Sequence, residues 1–342
     1  MLLAGNHLQV KTLPEPKGHD FERKLRLLFH MPRWLVTIWR EVACADAVHT
    51  PLPGDLGTVG MFITLLQKKP LFVRHCGRWG IASSRIEGLL QRFLERIAGS
   101  RNVVMATGGA ESPPSSRNPA ISWIFSTALT AAELEQTPQA QAWQTGEALR
   151  LVTVGSLLPG KNISALIAAL PLIREDYPQL SLEVIGTGRM REELQQQTRQ
   201  LGLEQVVTFS GNLPHEEVMQ HLSQAHVFVF PTLSEGFPKA LLEAMACGLP
   251  IAANPVSVIP RLLEGGAGLL LSGQDSSSIA ANLADLLDDP EKMAAMGKLA
   301  RERAQGYTLE RWRDEIGERL SAAWGKSLKQ EADEPGKGVE SV

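Results

Sequence analysis

The 342-residue sequence predicts an α/β protein built on parallel sheets and divided into two domains, at about 150 residues each. Three observations predict it. Short β-branched runs alternate with stretches of helical periodicity throughout the C-terminal half. The same alternation, less regular, runs through the N-terminal half. The Gly- and Pro-rich connections fall after the apolar runs, where an α/β sheet carries its ligand loops.

In the C-terminal half, residues 150–154 (RLVTV) read as a buried strand, followed by the loop GSLLPGKN and a helix over Ser164–Glu175. LEVIG (182–186), VVTFS (206–210), HVFVF (226–230), LPIAA (249–253) and AGLLL (267–271) read as further strands. Helices are expected over Arg189–Leu201, over His215–Gln224 and from about Pro238. Right-handed crossovers stack such units into a Rossmann-like layer. In the N-terminal half, ADAVH (45–49), PLFVRH (70–75) and NVVMAT (102–107) read as strands, with helices over Gly57–Gln67 and Arg85–Ile97. Glu111–Pro119 reads as loop and residues 136–148 as a linker. The expected division is residues 1–145, then 146–325 including a last helix over Leu309–Trp324, then a disordered tail over 326–342.

Composition narrows the function. With 44% hydrophobic and 21% charged residues the chain is neither disordered nor fibrous. No run reaches the roughly 18–20 apolar residues of a spanning helix, and MLLAGNHLQVK lacks the basic start and apolar block of a secretory signal. Three cysteines (Cys44, Cys76, Cys247) without a CxxC pair fit a reducing cytosol. Net charge is −3, but residues 1–104 carry +7 and the remainder −10. A basic half points to an anionic partner, either a phosphate-bearing substrate or the head groups of an anionic membrane, with a plain solvated surface as the alternative. Without interleaved aromatics, nucleic acid is not expected. No DxD stands where it could chelate a donor, and no metal or cofactor is expected; Asp288–Asp289 beside Pro290 reads as a surface stop signal.

The sharpest candidate site is PTLSEGFPKALLEAMACGLP, residues 231–250. Pro238 suits the first turn of a helix and Gly248 its end. Glu235 then lies in the loop, Glu243 on the helix, and the free N–H groups of Gly236 and Phe237 can face an anion. Taken alone, a loop Glu and a helix Glu are commonplace. Lys161, after Gly155 and Ser156 in VGSLLPGKN, can meet a phosphate as a point charge or stay solvated. Gly186 and Gly188 in VIGTGRM mark a close backbone approach or a sharp turn. Gly211 in FSGNLP repeats the plan. In the first half, His75 of PLFVRHCGRWG, with Arg74 and Arg78 nearby, faces the cleft or serves a turn at Gly77. Cys76 reads as a small buried residue, Trp79 as a sugar stacker or packing residue, and loop 51–60 as a wall of an acceptor site.

Together and in this order, these pieces resemble the retaining family 4 glycosyltransferases of GT-B fold, the group 1 transferases. Glu235 and Glu243 match the family's Glu-x7-Glu spacing inside SEGFPKALLEAMACGLPIAA, and the resemblance covers about 150–325 and, more loosely, 40–130. It implies two Rossmann-like domains facing each other across a cleft, with the N-terminal one incomplete in its first strand and helix. It further implies transfer of a sugar from a nucleotide-diphosphate donor to a sugar, lipid-linked or polysaccharide acceptor, with retention, in the cytoplasm or at the inner face of the membrane. By the same resemblance, Glu235 holds the donor sugar, Glu243 the ribose and Lys161 the diphosphate. Main chain over Gly211–Leu213 cradles the base, His75 assists, and the last helix crosses back to the first domain. Three departures stand out. Ser156 replaces the usual Arg, leaving Arg189 or Lys239 to supply that cation. Residues 254–261 (NPVSVIPR) replace a Gly-Gly loop, with Arg261 where Glu is habitual. The opening Gly-rich turn is not found. These departures keep a nucleotide-sugar-binding protein with lapsed or partner-dependent activity as the rival reading. A GT-B phosphorylase or epimerase and a glycoside hydrolase fit the Glu pair less well.

Overall fold

The computed structural model describes residues 11–13, 20–77, 79–82, 84–108 and 114–325. The tail at 326–342, Arg78 and part of the 111–119 loop therefore lie outside the described residues. The first sheet is four-stranded and parallel, in the order β1 (Val48–Leu52), β2 (Leu71–His75), β3 (Asn102–Ala106), β4 (Ile121–Trp123). Helices α2 (Asp55–Leu66) and α3 (Arg85–Ile97) make the crossovers. A 25-residue helix, α1 (Asp20–Cys44), precedes them and packs on α2. The sequence reading assigns no element to this segment; the helix runs through Pro32.

The second sheet is six-stranded and parallel, in the order β10-β9-β8-β5-β6-β7, with β5 Arg150–Val154, β6 Ser181–Ile185, β7 Val207–Gly211, β8 Val227–Phe230, β9 Ile251–Ala253 and β10 Leu269–Leu270. Its strand β8 is buried on both faces, as a central parallel strand must be. Phe228 and Phe230 enter one core layer and Val227 and Val229 the other. The connecting helices are α5 (Ile163–Arg174), α6 (Arg191–Gln200), α7 (His215–Gln224) and α8 (Lys239–Ala246). A short α4 (Ala131–Gln136) leads into this half, and α9 (Ile259–Leu262), α10 (Ser276–Leu287), α11 (Pro290–Ala304) and α12 (Leu309–Trp324) complete it. Asp289, expected as a stop signal, also caps α11 through the Lys292 amide.

The expected linker at 136–148 is not free chain. Trp143 is buried, and the Ala140 amide donates to the Cys247 carbonyl, so the segment seals the second core. Helix α12 returns to the first sheet: Trp324 Nε1 donates to the Arg101 carbonyl, and the Trp312 ring lies under the Arg74 guanidinium.

The roots of β5 and β8 are tied by His226, whose Nδ1 accepts from the Arg150 amide at 3.1 Å. Burial, reinforced by the Arg150 charge, pulls its pKa from 6.5 down to about 4. A depressed histidine pKa stabilises the folded state above the unfolded value and loses that contribution as pH falls. The unfolded chain takes up the proton first, so stability should fall as pH drops below 6.5 towards 4. Urea unfolding across this range checks it, and His226→Gln should flatten the profile.

Candidate functional site

In the second sheet the chain runs outward from β5 through β6 to β7, then returns to place β8 on the other side of β5. That reversal opens a crevice beyond the carboxyl ends of β5 and β8, where open α/β sheets bind ligands. Lys161 follows β5 and Glu235 follows β8, so topology alone brings them together.

Locally, Gly155–Leu158 turns into a single 3-10 turn over Pro159–Lys161, and Asn162, in the left-handed region at φ 55°, starts α5. The Lys161 stem passes over Gly155, where a Cβ would stand 3.8 Å from its Cε. Its ammonium lies 5.4 Å from the Phe230 ring centroid and forms an ion pair with Glu235. Both side chains are largely buried, at 20% and 10% exposure. Two further bonds join the loops: Leu233 N–H and Thr232 Oγ1 both reach the Gly160 carbonyl, at 2.8 and 3.1 Å.

The Glu235 loop is held from behind by residues the sequence reading passed over. Buried Asn254, at the end of β9, donates through Nδ2 to the carbonyls of Pro231 (2.7 Å) and Thr232 (3.2 Å). Ser257 Oγ donates to the Gly236 carbonyl at 3.1 Å. Ser257 has φ 52°, the left-handed region that favours glycine, where the resembled family carries a Gly-Gly loop. A polar residue directly after the buried LPIAA run was the available signal for Asn254.

Glycines 186 and 188 serve backbone packing. A Cβ on Gly186 would lie 1.9 Å from the Gly155 carbonyl oxygen, and one on Gly188 2.3 Å from that of Leu157. Two strand-end loops press together here, joined by Leu157 N–H to Thr187 O at 2.9 Å. Gly211 has φ 75°, with the Arg191 guanidinium alongside. Leu213 packs on the core just before α7.

From the start of α7, His215 Nδ1 lies 3.5 Å from the Glu243 carboxylate on α8, so the Gly211–Leu213 loop and Glu243 are neighbours. Burial raises the Glu243 pKa, and the His215 and Lys239 charges oppose the rise. Pro238, expected in the first turn of α8, is its N-cap, and α8 begins at Lys239. Gly236 and Phe237 precede that turn. Ser156, Arg189 and Lys239 are exposed; Arg189 has no ion pair among the described residues.

The two halves meet at this site. A Cβ on Gly236 would stand 3.3 Å from the Cys76 carbonyl, so the loop after β2 abuts the loop after β8. His75 is completely buried beside Trp79, ring centroids 5.1 Å apart, and neither ring nitrogen has a hydrogen-bond partner. Burial lowers its pKa, so the ring is neutral, with nearby Glu87 opposing the shift. Trp79 packs in the core, whereas Cys76, expected to be buried, is exposed because it lies past the strand end. Phe237 approaches Trp123 of β4 at 6.3 Å, and Arg261 stacks over Trp123 at 4.2 Å. Among the described residues there is no cluster of three or more metal-ligating side chains, and no helix is long and apolar enough to cross a membrane. Residues 51–60, expected as a loop, are instead the end of β1, a two-residue connection and the first turns of α2, and they wall a cavity of about 480 Å³ along β1, between α1 and α2.

Residues 135–303, which hold Lys161, Glu235 and Glu243, match the family described as glycosyl transferases group 1. The match spans just under half of the chain and contains the whole of the Lys161–Glu235 crevice. The chain's relatives include a GDP-mannose-dependent alpha-(1-6)-phosphatidylinositol monomannoside mannosyltransferase of Mycolicibacterium smegmatis, 34% identical over 170 residues, covering 47% of this chain and 44% of that protein. A glycogen synthase of Mycobacterium tuberculosis is 31% identical over 161 residues, covering 47% and 39%. The chain thus spans less than half the length of these relatives. Solved structures resemble nearly the whole chain. Anabaena Alr3699/HepE, in complex with UDP and glucose, superposes with a TM-score of 0.69 at 19% identity, over 84% of this chain and 81% of that one. Sucrose-phosphate synthase of Thermosynechococcus elongatus superposes at 0.68 and 19% identity, over 91% and 86%. The two sheets with their helices together have the GT-B fold.

Proposed function

We propose that the chain is a retaining, family 4-type glycosyltransferase that moves a sugar from a nucleotide-diphosphate donor to a lipid-linked or polysaccharide acceptor, on the cytoplasmic side of the membrane. The observation that carries the reading is the meeting of Lys161 and Glu235 at the β5/β8 crevice, with Glu243 one step deeper beside the Gly211–Leu213 loop. Relatives that use a GDP-mannose donor and a neighbour that holds UDP and glucose support the donor class.

In this reading the nucleoside lies between the Gly211–Leu213 loop and Glu243, whose carboxylate accepts from the ribose hydroxyls. The diphosphate comes to Lys161 and to the amides of Gly236 and Phe237 ahead of α8. As the bond from the sugar to the diphosphate breaks, negative charge grows on the leaving oxygens, and a fixed ammonium beside them stabilises it. Glu235 holds the sugar hydroxyls and orients the reacting face towards the first half. His75, completely buried beside Trp79 and neutral, supports the acceptor side by packing behind loop 76–77 and not as a proton acceptor. Apposition of loops 76–77 and 235–237 shields the reacting bond from water, which competes with the acceptor. The chain's own groups perform each of these roles without a metal.

Thermal shift with UDP-, GDP- and ADP-sugars tests the donor site. Selective stabilisation that grows with ligand concentration supports it; no response to any of them contradicts it. Glu243→Gln should lower donor affinity on the order of tenfold or more, as for a hydrogen bond to a charged acceptor, while leaving the melting temperature within a degree or two. Unchanged affinity in the folded variant removes the ribose role. Because the Glu243 pKa is raised, wild-type donor affinity should fall with decreasing pH from above the usual carboxylate range, and Glu243→Gln should lose that dependence.

A further inference from the structure

Where the chain leaves the first sheet, and where it returns to it, the two halves frame an open cavity. The outgoing wall is Trp123, the last residue of β4, with Phe125 just after it; the returning wall is Tyr307, between α11 and α12. Tyr307 meets Phe125 edge-on, ring centroids 5.2 Å apart. Arg261 of α9 closes a third side, its guanidinium 4.2 Å from the Trp123 ring centroid. Glu302, near the end of α11, lines a fourth. The cavity holds about 360 Å³, within the roughly 300–1,000 Å³ of small-molecule sites. It shares Phe125, Gly306 and Glu315 with a neighbouring cavity of about 400 Å³ that lies along α12.

Three polar groups on this cavity lack partners. Among the described residues, the Arg261 guanidinium has no carboxylate, the Glu302 carboxylate no cation, and the Tyr307 hydroxyl no hydrogen bond. Arg261 and Glu302 share the cavity without pairing, so there is room between them. The other charges are engaged: Arg303 donates to the carbonyls of Leu262 and Arg261 at 2.8 and 2.7 Å, and Glu315 is held by Arg319 at 3.0 Å. Laid on an indole and half-buried, the Arg261 guanidinium is fixed in place and keeps its N–H edge for a ligand. That edge is a two-pronged donor, matched by an oxyanion with two oxygens in its plane. The aromatic walls suit the C–H face of a sugar ring, and Glu302 and Tyr307 can take its hydroxyls. A phosphate dianion fits poorly, because one free cation faces two carboxylates here. A single carboxylate carried on a sugar ring satisfies the guanidinium, the hydroxyl partners and the aromatic walls together.

We propose that this cavity binds an acidic sugar of the uronate type, with Arg261 gripping the carboxylate and Tyr307 and Glu302 the hydroxyls. Its position says where that sugar belongs. Trp123 lies 6.3 Å from Phe237, ring to ring, and Phe237 heads the loop assigned to the diphosphate, so the cavity opens beside the reacting crevice. The acidic sugar is then a residue of the acceptor chain, which continues into the neighbouring cavity along α12. That last step rests on the transferase reading; the acidic-sugar site itself does not. Arg261 is also a position at which the sequence departs from the resembled family, and the departure reverses the charge.

Calorimetric titration of the full chain tests the proposal, with three probes: a glucuronate tetrasaccharide, the same sugar with its carboxylates reduced to alcohols, and inorganic phosphate. The acidic form should bind about tenfold more tightly than the reduced form, the scale of a hydrogen bond to a charged group. Inorganic phosphate should not displace it. Arg261→Gln should bind the two forms alike, and Arg261→Lys, which keeps the charge without the fork, should restore part of the difference. Tyr307→Phe should weaken both forms equally. All three variants should remain folded in a melting scan and keep the wild-type response to nucleotide sugars. Binding of neither form, equal binding of both, displacement by phosphate, or an undiminished preference in Arg261→Gln overturns the proposal. A nucleotide-sugar response without tetrasaccharide binding removes this site alone. Preference for the acidic form in a protein that ignores nucleotide sugars supports the site and removes the transferase reading.

Discussion

Glu235→Gln should move two affinities in opposite directions: the free nucleoside diphosphate binds more tightly, and the nucleotide-diphosphate sugar loses its advantage over it. The reason lies in the resting site, where the Lys161 ammonium is engaged by the Glu235 carboxylate in a largely buried ion pair. A diphosphate must draw Lys161 away from that partner. Removing the negative charge while keeping the shape leaves the ammonium uncompensated in a site sheltered from solvent, which favours any incoming anion. A free diphosphate gains from this and needs nothing from residue 235. A nucleotide sugar also gains at its phosphates but loses the charged acceptor that grips its hydroxyls, and the reacting sugar is no longer held in line. Transfer should fall about 10³-fold, the upper range for losing one group of a preorganised site. Calorimetric titration of wild type and variant with the free diphosphate and the sugar-linked form decides it. Equal changes for both ligands would mean that Glu235 acts only as a counter-ion for Lys161 and does not touch the sugar.

Much of this candidate site is legible in the sequence, for reasons that can be named. In a doubly wound sheet the loop after each strand is placed by topology, so locating β5 and β8 already brought Lys161 and Glu235 to one crevice. The strands were readable because those of a parallel sheet are buried on both faces and carry uninterrupted apolar runs, as VFVF does. The supporting residues were not readable. Asn254 and Ser257 act through long-range bonds to the carbonyls of residues 231, 232 and 236, and no local pattern records such a partner. The glycines have a second reason to be there. Gly186 and Gly188 read as positions of close approach or sharp turn; the backbone of the neighbouring 155–157 loop is one thing that comes close, and only the fold shows it. Helix α1 holds a proline, which locally disfavours a helix, and packing on α2 overrides that preference.

The departure at Ser156 sharpens the second large effect. With serine where the resembled family carries arginine, and with Arg189 and Lys239 exposed, Lys161 is the cation to which the proposed reading assigns the leaving diphosphate. Its position is fixed from several sides: the 3-10 turn that closes on its own amide, the Gly155 surface under its stem, and the Phe230 ring 5.4 Å from its ammonium. A charge held this way needs no reorganisation as the bond to the sugar lengthens, which is the condition under which one electrostatic group lowers a barrier most. Lys161→Ala should cut transfer about 10²-fold, with a larger loss in kcat than in donor affinity, because the developing charge exceeds that of the ground state. Lys161→Arg keeps the charge but brings a planar fork to a space shaped by Gly155 for a slim stem, so it should recover only part of the rate. Single-turnover rates at saturating donor separate the two contributions. If alanine lowers affinity and leaves the rate at saturation near wild type, Lys161 binds donor and transition state alike; stabilisation of the leaving group must then come from the amides of Gly236 and Phe237 at the head of α8.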